Sequence, residues 1–188
     1  IKGKAMSEEI MLRHCSPTLA GLKTGNIITC GYKSASQMRD SVRRWNCILG
    51  KKGLRVVPLR YRDGRALIYI YRVSRLMRDL NDAGAKAILG RCGYLEKSPE
   101  RCITRLAEKL GQDGEFPHEI GLFIGYPPED VRGFMENRAD GCKCVGCWKV
   151  YGDAAAAEKT FAKYKKCTDV YLKQHKKGKS VEQLTVAG

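Results

Sequence analysis

Residues 54–71 read LRVVPLRYRDGRALIYIY, and this stretch predicts the centre of the fold. Two segments rich in β-branched and aromatic residues flank Asp63-Gly64, a dipeptide favoured in tight hairpin turns because both residues tolerate positive φ angles. The second segment, Ala66–Tyr71, is apolar at every position, so both of its faces should be covered by other parts of the protein. The stretch therefore predicts a β-hairpin whose second strand lies inside a sheet.

Helices and shorter strands are predicted on both sides of this hairpin. Capping side chains, acidic first turns and apolar residues at helical spacing predict helices at Ser7–Leu22 with a break near Pro17, Ser34–Leu49, Ser74–Leu80, Ser98–Leu110, Pro127–Asn137 and Ala154–His175. Apolar runs predict further strands at Gly84–Leu89, Glu119–Gly125 and Trp148–Tyr151. The predicted class is α+β, with a central mixed sheet that includes the hairpin and helices packed on that sheet.

The length of the chain and its two ends suggest how it is organised. A chain of 188 residues is about the size of one domain. Residues 1–5 are interpreted as a leader before a start at Met6, residues 6–175 as a single globular domain and residues 176–188 as a mobile C-terminal tail. No apolar run approaches the ~20 residues that span a bilayer, and no signal-peptide pattern is present. We therefore expect a cytoplasmic protein with no membrane partner.

The chain is strongly basic, with 35 Lys and Arg residues against 20 Asp and Glu residues and a formal net charge of +15. Such a field favours an acidic electron-carrier protein or another polyanion as partner, nucleic acid included, although a solvated surface without a specific partner explains the same charge. The last predicted helix carries aromatic residues, Tyr164 among them, at helical spacing. We interpret them as facing the core and the lysines around them as solvated, with a nucleic-acid-binding face as the alternative.

Three cysteines, Cys142, Cys144 and Cys147, lie within six positions of one another. Nine cysteines in a reducing compartment are not expected to form a disulfide framework. Thiolates bind zinc or iron, and four is the usual number of ligands. Cys167 is the first candidate for the fourth ligand, and the other candidates are Cys15, Cys30 and His14. The cluster therefore predicts a zinc site, an iron–sulfur cluster or redox thiols, while simple packing of the cysteines remains the alternative.

Two other polar stretches are candidates for chemistry. His118 and Glu119 are adjacent before a predicted strand and are candidates for a general acid–base pair, although neighbours on a strand point to opposite faces. Gly125 and Tyr126 stand where a predicted strand gives way to a helix, a place where α/β proteins bind ligands. The alternatives are a histidine that hydrogen-bonds its own loop and an ordinary strand-to-helix turn.

A further candidate site surrounds Cys15. His14 supplies a base beside this thiol and Lys23 supplies a cation beyond it, which together suggest a nucleophilic cysteine or an anion-binding residue. Burial of Cys15 as a small apolar residue is the alternative.

Three segments, His14–Lys23, Pro117–Pro127 and Cys142–Tyr151, together resemble the bacterial domain-of-unknown-function family 3793. The resemblance extends from about Met6 to Tyr171. It includes the family's Pro-His-Glu triplet at 117–119 and its Leu-Gly-Tyr-Pro stretch at 124–127, where isoleucine replaces leucine. The resemblance implies no established activity and no catalytic residues. Many members come from anaerobes, which implies that oxygen-sensitive thiol or iron–sulfur chemistry is compatible with the family.

Three hypotheses about function follow. The first is a cysteine-based metal, iron–sulfur or thiol redox protein that uses Cys142, Cys144 and Cys147, with Cys167 or Cys15 as a further thiol. The second is a basic module, without enzymatic activity, that binds an acidic protein or nucleic acid. The third is a hydrolase or transferase with Cys15 as nucleophile, which requires a histidine within reach of its sulfur.

Overall fold

A three-stranded sheet lies at the centre of the computed structural model, which describes residues 6–95, 98–112, 114–138 and 140–188. Its strands are β1 (Gly25–Gly31), β2 (Leu54–Arg62) and β3 (Arg65–Arg72), in the order β1-β3-β2. β3 is therefore the central strand, as its apolar sequence predicts. The segment interpreted as a leader, residues 1–5, lies outside the described residues.

The turn between β2 and β3 has the predicted conformation. Asp63 and Gly64 have φ angles of 50° and 69°, so both central residues are left-handed. That combination matches the right-handed twist of the flanking strands, which is why this dipeptide closes a two-residue hairpin. The prediction of a hairpin from residues 54–71 is confirmed.

Helices make up most of the rest of the protein. They are α1 (Glu8–Leu19), α2 (Ala35–Gly50), α3 (Val73–Leu80), α4 (Ala83–Arg91), α5 (Pro99–Gly111), α6 (Ile120–Phe123), α7 (Pro128–Asn137), α8 (Ala154–Lys176) and α9 (Val181–Leu184). A small second sheet pairs β4 (Cys144–Val145) with β5 (Lys149–Val150). The predicted α+β class is confirmed. In the described ranges, no helix is long and apolar enough to cross a membrane.

Two segments predicted as strands are helical. The Asp82 side chain accepts hydrogen bonds from the N–H groups of Gly84 and Ala85, at 2.8 and 3.1 Å, and this cap begins α4 where a strand is predicted at Gly84–Leu89. The segment predicted as the strand Glu119–Gly125 contains the short helix α6. Because both segments are helical, the central sheet is antiparallel throughout and not mixed.

The first helix and the first strand also differ from the prediction. α1 continues through Pro17 and ends at Leu19, so the predicted break near Pro17 is wrong. The carbonyl of Pro17 instead accepts hydrogen bonds from the N–H groups of Leu22 and Lys23, which closes the turn after the helix. β1 follows this turn and was missed, because its sequence is short and carries glycine at both ends.

The two faces of the central sheet are covered by different helices. On one face Ile28, Ile68 and Ile70 pack with α1, α2 and α9. On the other face Tyr69 and Tyr71 pack with the helices α3–α7. A third, smaller cluster around Trp148 joins the β4–β5 hairpin to α8.

The C-terminal segment packs on the first core and is not detached from the fold. Val181 is fully buried, Ser180 caps α9, and the Val186 N–H donates to the carbonyl of Leu19 at 3.0 Å. An apolar face on this short helix explains the packing, which replaces the mobile tail predicted for residues 176–188.

Arg72, at the end of β3, connects three parts of the chain. Its side chain is only 3% exposed and donates to the carbonyls of Thr18, Leu19 and Val186, at 2.7, 2.6 and 2.7 Å. Its backbone N–H donates to the carbonyl of Thr24 at 2.9 Å. The end of α1, the turn that follows it and the C-terminal segment are thus held by one residue.

We predict that Arg72→Met lowers the free energy of unfolding by about 3 kcal/mol, because it leaves buried carbonyls without the charged donor that they share. Urea denaturation followed by circular dichroism measures the loss. Arg43→Met is the matched control, because that side chain is 80% exposed, and it should leave stability unchanged. Equal losses in the two variants would contradict a special role for Arg72.

Candidate functional site

A cleft of about 270 Å³ lies beside the turn that follows α1. We call it the Lys23 cleft. Its lining includes Lys23, Thr24, Arg75, Gly125, Tyr126 and Tyr164. The predicted ligand-binding residues Lys23, Gly125 and Tyr126, which are far apart in sequence, thus lie in one place.

The backbone around this cleft is tightly constrained. Gly125 has a φ angle of 80°, and a Cβ added there would lie 2.8 Å from the Thr24 hydroxyl oxygen. Only glycine allows the two chain segments to approach so closely. Tyr126 follows directly, so this contact places its ring over the turn that carries Lys23.

Lys23 is the most unusual charged residue of the protein. It is 7% exposed, and its Nζ lies 5.4 Å from the ring centre of Tyr126 and 6.0 Å from that of Tyr164. The ammonium group forms no hydrogen bond or ion pair with any residue that the structure describes. Burial lowers the pKa of Lys23 from 10.5 to about 8, although the nearby Cys147 and Cys15 thiols act in the opposite direction.

The carboxylates that line the cleft are already engaged. Asp79 accepts hydrogen bonds from Thr24 and, at 2.8 Å, from Arg78, and Asp82 caps α4. Arg75, in contrast, forms no ion pair within the described ranges. The cleft therefore presents two cations, Lys23 and Arg75, that have no carboxylate partner among the residues described.

The β4–β5 hairpin, residues 142–151, which we call the cysteine hairpin, is anchored next to this cleft. The carboxylate of Asp130 on α7 is buried and accepts from the Trp148 indole N–H and the Tyr151 N–H, both at 2.7 Å. The Tyr126 hydroxyl donates to the carbonyl of Cys147 at 2.9 Å. A Cβ added at Gly146 would lie 2.2 Å from the Phe161 ring, so this glycine serves packing against α8 and not folding around a metal.

The predicted cysteine cluster is divided between different surroundings. Cys147 is exposed, and although burial raises its pKa, Lys23 lowers it. Burial also raises the pKa of Cys144, and there the neighbours Glu158, Asp130 and Cys142 raise it further. The thiols therefore do not share one positive environment.

No metal site is formed by these cysteines. Among residues 6–95, 98–112, 114–138 and 140–188, no group of three or more His, Cys, Asp or Glu side chains is arranged to hold a metal ion. Cys167 is partly buried on α8, close to Tyr171. In this arrangement the predicted ligands Cys142, Cys144, Cys147 and Cys167 are not gathered into one group.

Cys15 is not placed for nucleophilic chemistry. Its side chain is fully buried in the core between α1 and the sheet, and burial raises the pKa of the thiol to about 12. The neighbouring His14 is exposed, and the His118 ring packs against Phe134 on α7. In the part of the chain that the structure describes, neither of these two candidate bases is placed beside the buried sulfur.

His118 and Glu119 both line a cleft of about 390 Å³, but their side chains have different partners. Glu119 is 3% exposed and accepts from the Lys109 ammonium at 2.6 Å and from the Tyr94 hydroxyl at 3.1 Å. The His118 ring packs against Phe116 and Phe134, with ring centres 5.8 and 4.9 Å apart. Among the described residues, the His118 ring and the Glu119 carboxylate form no hydrogen bond with each other, and Glu119 belongs to a buried ion pair with Lys109.

Arg75 and Tyr164 are among the cleft residues that the sequence did not predict. Arg75 on α3 belongs to no recognisable sequence motif, and the helical spacing of Tyr164 predicted that its side chain faces the core. Tyr164 does pack with the Trp148 cluster, but its ring also forms a wall of the cleft. Only the packing of α8 against the turn after α1 reveals this second role.

We predict that iodoacetamide alkylates Cys147 in the native protein and leaves Cys15 unmodified, because Cys15 is fully buried with a raised pKa. Lys23→Met should slow the alkylation of Cys147, since it removes the cation that lowers the pKa of this thiol. Peptide mass spectrometry over a time course measures both rates, with exposed Cys47 as the internal control. An unchanged Cys147 rate would show that Lys23 does not influence the thiol.

Comparison with known proteins places the chain in a family. A family model described as a protein of unknown function, DUF3793, matches residues 11–185. No curated protein and no solved structure matches the chain. The matched range contains every residue of the Lys23 cleft and of the cysteine hairpin. The chain therefore belongs to the DUF3793 family.

Proposed function

We propose that this protein binds a small anionic ligand in the Lys23 cleft. The observation that carries the proposal is a buried ammonium group that faces a cleft and has no counter-ion among the described residues. Buried charges in proteins are normally paired, because an isolated charge away from water is costly. An anion bound in the cleft would supply the missing partner.

The cost of burying the charged amine supports a functional role for Lys23. A pKa lowered from 10.5 to about 8 corresponds to roughly 3 kcal/mol of stability lost below pH 8, where the buried amine must carry its proton. The sign follows from the unfolded chain, which binds this proton more tightly than the folded one, so stability rises as pH increases from about 8 towards 10.5. A residue that destabilises the free protein is expected where ligand binding needs it.

The cleft also restricts the chemistry of the ligand. Its volume of about 270 Å³ suits a small molecule. The guanidinium of Arg75 can bind a carboxylate or phosphate group in a bidentate manner, and the tyrosine rings form a less polar wall. We therefore propose a small carboxylate or phosphate ester with an apolar portion.

We predict opposite effects of Lys23→Met on stability and on binding. The melting temperature at pH 6.5 should rise by about 5 °C, because the buried charge is removed. Affinity for phosphate or small carboxylates, measured by isothermal titration calorimetry, should fall at least tenfold. In the unmodified protein, affinity for acetate, which keeps its charge near neutral pH, should decrease above pH 8 as the ammonium loses its proton.

Exposed Lys33 provides the matched control, and Lys33→Met should change neither quantity. Arg75→Met should weaken binding without the gain in melting temperature, because Arg75 is only partly buried. A Lys23→Met variant that melts lower and binds anions with unchanged affinity would assign Lys23 a structural role and refute the proposal.

A second candidate function is binding of nucleic acid by the hairpin. A groove of about 500 Å³ is lined by Arg60, Arg62 and Arg65, with Asp63 as the acid beside them. Arg65 lines the groove, and Arg72, at the other end of β3, hydrogen-bonds Thr24 of the Lys23 cleft. The groove therefore lies about 20 Å from the Lys23 cleft. A row of guanidinium groups along a β-ribbon suits the regular charges of a phosphate backbone.

We predict that Arg62→Gln/Arg65→Gln weakens binding of a fluorescent single-stranded RNA more than Lys159→Gln/Lys163→Gln does. Both double variants remove two positive charges from exposed positions, so net charge is matched. Fluorescence anisotropy over a series of salt concentrations measures the affinity and its salt slope. Equal weakening would indicate a diffuse charge effect, and binding of only an acidic protein would refute the nucleic-acid assignment.

A further inference from the structure

We infer that Lys23 acts as a nucleophile that forms an imine with a small anionic carbonyl compound, such as a 2-oxo acid or an aldehyde that carries a carboxylate or phosphate. This inference rests on the proposed function, because the anionic group is what brings the carbonyl compound into the Lys23 cleft. It adds the chemical class of the ligand and a covalent step.

The first support is the freedom of the amine. Lys23 Nζ faces the cleft between two tyrosine rings, and no residue in the described part of the chain holds it through a hydrogen bond or an ion pair. Its lone pair is therefore available once the proton is lost. A pKa of about 8 leaves roughly 300-fold more neutral amine at pH 7 than an ordinary lysine has.

The second support is the position of the neighbouring cation, Arg75. Arg75 lines the same cleft and has no carboxylate partner in the described ranges, so it can hold the anionic end of the ligand while Lys23 meets the carbonyl carbon. A fixed anion beside a nucleophile raises the rate of attack because the two reacting groups are held together. A neutral amine is then compatible with anion binding, since Arg75 keeps its charge.

The third support is a hydroxyl group that can transfer protons. The Tyr164 hydroxyl makes no hydrogen bond with a described residue, and burial raises its pKa to about 12, so it stays protonated. The Tyr126 hydroxyl differs, because it donates to the carbonyl of Cys147. Tyr164 is thus assigned as the proton donor to the carbonyl oxygen.

The covalent step needs no oxidant or reductant. The lone pair of the neutral amine attacks the carbonyl carbon, the C=O π electrons move to oxygen, and that oxygen takes a proton from Tyr164. The nitrogen loses a proton, which restores the tyrosine, and a carbinolamine results. A second proton transfer releases the hydroxyl group as water while the C=N bond forms, so amine and carbonyl give imine and water.

The test traps this imine by reduction. The full chain is incubated with glyoxylate and sodium cyanoborohydride, and labelled lysines are located by peptide mass spectrometry. We expect Lys23 to be labelled at least tenfold faster than exposed Lys33, with a rate that rises as pH increases towards about 8. Acetate, which carries the anion without the carbonyl, should protect Lys23 and not Lys33.

Two variants separate the roles of the residues. Lys23→Arg keeps the positive charge and should abolish the fast label. Tyr164→Phe should lower the trapping rate more than tenfold while weakening acetate binding far less, a split that a purely structural role would not produce. Loss of trapping in proportion to loss of acetate binding would refute proton donation by Tyr164.

The outcomes distinguish this inference from the proposed function. If phosphate or acetate binds in calorimetry but Lys23 labels no faster than Lys33, the imine is refuted and anion binding stands. If no anion binds and no fast label appears, both fall together. Fast labelling of Lys23 without protection by acetate would support a reactive lysine and refute the anionic class of substrate.

Discussion

The three hydrogen bonds from Arg72 are the constraint on which the functional region depends. The end of α1 leaves carbonyls without helical partners, and here Thr18 and Leu19 share one buried guanidinium with Val186 of the C-terminal segment. The same residue fixes the Thr24 carbonyl through its backbone. Because Lys23 lies between these anchored points, its amine is held under the ring of Tyr126 and away from water.

The buried charge of Lys23 differs from the many exposed positive charges of the protein. Most of the excess of 15 positive charges is solvated and shows only a preference for anions. Lys23 differs because its surroundings lower its pKa and provide no counter-ion among the described residues. The engaged carboxylates of Asp79 and Asp82 sharpen this contrast, since each serves another partner although both line the cleft.

The local elements could be predicted from sequence, whereas the site could be predicted only in part. Turn chemistry at Asp63-Gly64 and caps at Ser34, Ser98 and Asp153 are decided within a few residues. Short apolar runs do not distinguish a strand from a buried helix, which is why Gly84–Leu89 and Glu119–Gly125 were assigned wrongly. Because Lys23 is close to Cys15 in sequence, a thiol site was predicted there. The rings that surround the Lys23 amine instead belong to Tyr126 and Tyr164.

The cysteines illustrate why close spacing in the sequence does not by itself define a metal centre. Residues 142, 144 and 147 are close in sequence, yet a tight hairpin with strands 144–145 and 149–150 directs their side chains into different surroundings. Asp130 fixes this hairpin through the Trp148 indole and backbone N–H groups, so the division is built into its attachment to α7. One thiol, Cys147, is left beside Lys23. The cation beside this thiol comes from the turn after α1, so the candidate site is organised around Lys23 and not around the cysteine cluster.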